Sequence, residues 1–146
     1  MAITRAELFT SAWSIIFNLI NNNVTVPGGK TKSIYSEFPK FKVESKANYP
    51  LIVIPNFNAS ESIVAFEMGK IEFRFSIEVY SLSSKEADEI ANDIFETIEA
   101  NIAALASDKF FNPKFISRTN TGNFERDGTS LHGTVLEYSA QFGYGR

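Results

Sequence analysis

The side chains able to do chemistry are few and scattered. His132, in "SLHGT", is the sole histidine, and the chain has no cysteine. A thiol nucleophile, a disulfide and a thiolate-bound zinc are therefore excluded. A lone imidazole also lacks a second histidine at metal-ligand spacing. A base-activated serine sits between glycines on a strained turn, whereas "GTSLHG" places His132 where the second glycine belongs. His132 thus reads as a strand residue with no catalytic part. "PGGK", residues 27–30, is too short to cradle a phosphate and reads as a turn.

The acidic run 88–99 offers more. Asp88, Glu89, Asn92, Asp93, Glu96 and Glu99 fall on one side of a helix whose other side is apolar. Three readings stand: a solvated face, a contact with basic protein surface, or a carboxylate cluster for a cation or catalysis. Glu89 and Asp93, four apart, repel mildly. Lys30, Lys32, Lys40, Lys42 and Lys46 are interleaved with Glu37 and Glu44 and accompany no nucleic-acid-binding motif. Phe38, Phe41, Tyr49, Phe57 and Phe124 lie in or beside polar segments. They either pack under their own loops or meet another subunit.

The elements that position these residues are legible from periodicity. "ITRAELF" opens a helix over about 5–21, with Thr4 and Glu7 as a capping box and Ile3 and Leu8 as a staple. Its apolar residues cover about half the circumference, wider than a helix resting on one sheet requires, so it is expected to touch two things. "KSIYSEF" and "YPLIVIP" read as strands, the second bounded by prolines. From Ile71 to Val79, odd residues are apolar and even ones polar, the mark of a strand buried on one face. The apolar phase of "SIVAFEM" falls on even positions, so Gly69 marks either a bulge or a turn between two strands. Ser83 and Glu86 cap a second helix reaching Leu105, with a single stripe from Ala87 to Leu105. "KFISRTNTG" and "TVLEYSAQF" form a hairpin with Arg126, Asp127 and Gly128 at its tip. The order α-β-β-β-α-β-β gives one α+β domain over residues 1–146, a mainly antiparallel sheet with both helices on one face.

At 146 residues a single domain can bury roughly 70% of its unfolded surface. Hydrophobic residues at 44%, with fourteen Phe, indicate a packed core. The opening "MAITRAELFTSAW" lacks the pattern of a secretory leader. Net charge is −3, unevenly spread. Residues 1–60 carry six Lys/Arg against three Glu, residues 61–110 four against eleven acids, and residues 111–146 four against three.

"YPLIVI", then "EFRFSIEVYSLSSKEADEIANDIFETI", then a closing "YSAQFGYG" resemble the tail terminator and tail-completion (head–tail joining) proteins of long-tailed bacteriophages, chiefly over residues 49–54 and 72–98. The resemblance implies a structural, non-enzymatic virion subunit without cofactor or metal. It would be made in the host cytoplasm and assembled as a six-membered ring at the head-proximal end of the tail tube. There it would end tube growth and dock the head connector, while DNA passes the channel without specific binding and no membrane is involved. Rings need heterologous contacts, one patch meeting a different one. A basic early region and an acidic middle supply such a pair. The residues expected at subunit, tube or connector contacts are Lys40, Phe41, Lys42, Glu72, Arg74, Glu78, Glu89, Asp93, Glu96, Phe124, Arg126 and Asp127. Alternatives are another neck or head-completion protein, a small-molecule-binding α+β domain, or a non-viral oligomeric adaptor.

Overall fold

The structure is a computed structural model. It describes residues 5–26, 33–36, 50–55, 57, 63–67, 70–126 and 129–143; of these, 5–9, 63–67, 70–71, 122–126, 129 and 143 are described by their backbone alone. In chain order the elements are α1 (Arg5–Asn23), β1 (Ile34–Tyr35), β2 (Leu51–Val53), β3 (Ile63–Glu67), β4 (Lys70–Ser81), α2 (Ser84–Ala100), α3 (Ile102–Ser107), β5 (Phe110–Arg126) and β6 (Thr129–Gly143).

The alternating stretch becomes β4, and the sheet is built around it. Strand order is β1-β2-β4-β6-β5, with β3 also paired to β4. Among the described residues β1 and β2 pair in parallel and the other pairings are antiparallel. The α+β class and the mainly antiparallel sheet are as expected. Gly69 itself lies outside the described residues; on either side of it Glu67 pairs with Lys70 in an antiparallel β3–β4 pair, and the register shift falls between Ile63 and Ala65. This adds a strand to the expected order.

Phe73, Phe75, Ile77 and Val79 of β4 are buried and belong to one core with Leu136, Tyr138, Ala140 and Phe142 of β6. Period-two alternation puts both sets on the same side of the sheet. Ala87, Ile90, Ala91, Ile94 and Ile98 of α2, together with Ala12, Ile16 and Ile20 of α1, join that core, so both long helices lie on this face. Aromatic rings fill its centre. Phe75 stacks on Tyr138 at 5.4 Å, and Phe73 meets Phe110 edge-on at 5.8 Å. The broad apolar surface of α1 has two uses. It packs beside α2, and Trp13 Nε1 donates to the Ile54 carbonyl beyond β2 at 2.7 Å.

Helix ends follow local chemistry. α1 runs to Asn23, past the expected end: Val24 N–H still donates to the Ile20 carbonyl at 3.0 Å, and the Asn23 side-chain amide adds a bond to the Leu19 carbonyl at 2.8 Å. The Thr4–Glu7 box and the Ile3–Leu8 staple lie outside the described residues and side chains. At α2, Ser83 caps Glu86 N–H as expected. The Glu86 carboxylate instead accepts from Ser81 Oγ, which in turn accepts from Ser83 N–H at 3.2 Å, so a third residue completes the box. The second helix does not reach Leu105 unbroken. Asn101 (φ −116°, ψ 19°) interrupts it, its amide donating to the Thr97 carbonyl, and α3 follows with Leu105 buried and Ile102 exposed.

Candidate functional site

The polar side of β4 faces away from both long helices. Ladder partners lie on the same side of a sheet, so the outward face can be read row by row. Glu72 pairs Gln141; Arg74 pairs Ser139, which pairs Lys114; Ser76 pairs Glu137, which pairs Ser117; Glu78 pairs Val135, which pairs Thr119. Arg74, Lys114, Thr119 and Glu137 are exposed, the others half-buried. Tyr80 Oη donates to Glu78 at 2.7 Å, Ser117 Oγ to Glu137 at 3.3 Å and the Asn112 amide to Gln141 at 3.4 Å. One end of the face is apolar: Leu51, Val53 and Leu131 are buried there with Tyr35 and Tyr80 against them. Gly133 pairs with Tyr80, whose ring lies so close that a Cβ on Gly133 would come within 2.9 Å of it.

The outer side of α2 is the second surface. Glu89 and Glu96 are exposed, whereas Asp93 accepts from Thr25 N–H at 2.9 Å and ties the end of α1 to α2. Asp88 and Asn92 both accept from Arg118 of β5, Asp88 at 2.9 Å. Thr134 is buried (2% exposed), with its hydroxyl 3.3 Å from Asp88 and 3.1 Å from Asn120. Asp88, Asn120 and Thr134 border a shallow cleft of about 120 Å³ that is also lined by Ser84, Ala87, His132 and Gly133. A Ser, a His and an Asp are thus neighbours, yet no hydrogen bond joins His132 to Ser84 or Asp88. The Asp88 carboxylate holds Arg118 and Thr134 rather than an imidazole. The cleft lacks the relay that nucleophilic catalysis needs. Among the described residues, no three acidic or histidine side chains converge as a metal site requires.

Of the residues expected at contacts, Glu72, Arg74 and Glu78 share the outward face, and Glu89, Asp93 and Glu96 lie along α2. Phe124 and Arg126 fall in the β5–β6 ladder opposite Leu131 and Thr129, next to the tip. Lys40, Phe41, Lys42 and Asp127 lie outside the described residues. Phe57 follows the packing alternative: it is 7% exposed, 5.4 Å from Phe73 and 5.2 Å from Phe75. Sequence reasoning passed over Lys114, Glu137, Ser139 and Gln141 on the same face. The polar phase of "TVLEYSAQF" contains the last three, and only strand pairing adds Lys114. Arg118 as the partner of α2 was also missed, because β5 bulges between Phe115 and Ser117 and so changes which side its residues take.

No family model matches the chain, and no curated protein sequence does. Among solved structures it is similar to a chain of the virion of a native gene transfer agent (GTA) particle. That chain is 12% identical, with a TM-score of 0.55 over 97% of this chain and 100% of the other. At that identity the likeness is one of fold.

Proposed function

We infer that the protein is a structural component of a phage-like virion, working as a ring at the junction of tail and head. Its polymer would cap the tail tube, end tube growth and present a surface to the head connector, with DNA passing through the channel unbound. The observation that carries this reading is the end-to-end likeness in fold to a virion chain, 97% of one and all of the other. The sheet supports it: one face is sealed by α1 and α2, while the other is lined with Glu72, Arg74, Glu78 and Glu137 and offers surface to a sister copy. Acidic groups turned toward the channel would repel DNA phosphates and let the duplex slide. The expected approach of the 30–46 lysines to acidic surface, and of the 39–48 segment or the hairpin tip to tube or connector, belongs to this proposal.

Electron microscopy of the purified chain mixed with tail tubes of its particle tests it. A sixfold cap at one end, and tubes that overgrow when the protein is omitted, are expected. Uncapped tubes of unchanged length would overturn the reading.

A further inference from the structure

Two cations on the outward face stand in one row. Arg74 of β4 and Lys114 of β5 both pair with Ser139 of the strand between them, so they are two strand spacings apart, about 9.6 Å. Both are exposed, and among the described residues neither has a carboxylate within ion-pair distance. On α2, Glu89 and Glu96 are seven residues apart. That spacing returns to the same side of a helix after about 10.5 Å. Both are exposed, and among the described residues neither has a cation within ion-pair distance. The two spacings agree to within about 1 Å, less than the reach of these long side chains.

We propose that α2 of one copy lies across the outward face of the next, Glu89 and Glu96 pairing with Arg74 and Lys114. The contact is heterologous, since the helix side of one copy meets the opposite sheet face of another, and such contacts close into rings or run into filaments. The neighbouring rows fix its position. Glu72 lies on one side of the basic row and Glu137 on the other, each about 6.8 Å away along the strands. A helix displaced by one row would set Glu89 and Glu96 against like charge, which disfavours the alternative registers. The occupant is therefore a second copy of this chain. The proposal rests on the ring reading and specifies its contact.

The test is ring formation on tail tubes by the full chain and three variants: Glu89→Lys/Glu96→Lys, Arg74→Glu/Lys114→Glu, and all four changes together. All four sites are exposed, so urea midpoints should match wild type and certify the fold. Each double reversal should lower ring occupancy at least tenfold, and the fourfold variant should recover to within a few-fold of wild type. Wild-type rings that persist in both double variants overturn the pairing and leave the functional reading standing. So does a fourfold variant that folds but does not recover, or an Arg74→Glu/Lys114→Glu chain that forms rings yet no longer binds tubes. Absence of any wild-type ring overturns the functional reading itself.

Discussion

Gly133→Ala probes the outward face at its tightest point. A Cβ built there meets Thr121 Oγ1 at 2.6 Å and the Tyr80 ring at 2.9 and 3.0 Å. Thr121 is exposed and can rotate, giving up its 3.2 Å bond to the Gly133 carbonyl. Tyr80 is less free. Its hydroxyl is bonded to Glu78, and its ring abuts the cluster of Leu51, Val53 and Leu131. Forcing a methyl into such packing costs about 1–3 kcal/mol. The backbone of Gly133 lies outside the left-handed region, so alanine also stiffens the unfolded chain and returns about 0.4–1 kcal/mol. The expected net loss is about 1–2 kcal/mol, a melting point lower by about 2–6 °C. Urea unfolding should show a lower midpoint at unchanged slope. Adding Thr121→Ala should recover only part of the loss, since the Tyr80 contact remains. A Gly133→Ala protein as stable as wild type would refute the close approach of Tyr80, and with it the described packing at that end of the face.

Tyr138 is fully buried with a hydroxyl that has no hydrogen-bond partner. Tyr138→Phe keeps the stack on Phe75 and should leave stability unchanged or raise it by up to about 1 kcal/mol by urea unfolding. Burial first, and the charge of Glu99 second, hold this phenol well above its ordinary value. Above about pH 10 the unfolded chain releases that proton while the native state keeps it, so wild-type stability should fall with rising pH by up to about 1.4 kcal/mol per unit more steeply than that of Tyr138→Phe. Equal alkaline slopes in the two proteins would contradict the assignment. Lys109 follows α3 in the left-handed region at φ 66°. Lys109→Gly should therefore raise stability by about 0.5–1 kcal/mol in thermal unfolding, and a loss would show that the Lys side chain contributes there.

Much of this architecture is written in periodicity. The strict alternation of β4 and the single stripe of α2 each had one face to bury, and the structure buries Phe73, Phe75, Ile77 and Val79 of the first and Ala87, Ile90, Ala91, Ile94 and Ile98 of the second. Three features lay beyond such patterns. The break at Asn101 depends on a side-chain amide competing for a helix carbonyl, while the apolar stripe continues through it. The full length of β5, including Pro113, depends on pairing with β6 and on bulges that absorb its irregularities. The basic row on the outward face joins Arg74 and Lys114, 40 positions apart. Neither segment alone announces it, because cross-strand neighbours are set by register rather than by local sequence. Charge reading fared similarly: the acidic run was visible, but Asp88 and Asp93 turned out to hold Arg118 and the end of α1.

In the proposed ring, the helix-free face of this sheet is completed by sister copies. Cryo-electron microscopy of the capped tube end tests it most directly. The expected result is a ring in which the β4, β6 and β5 rows bearing Arg74, Ser139 and Lys114 are covered by α2 of the adjacent copy. A ring that leaves those rows open to solvent would contradict it.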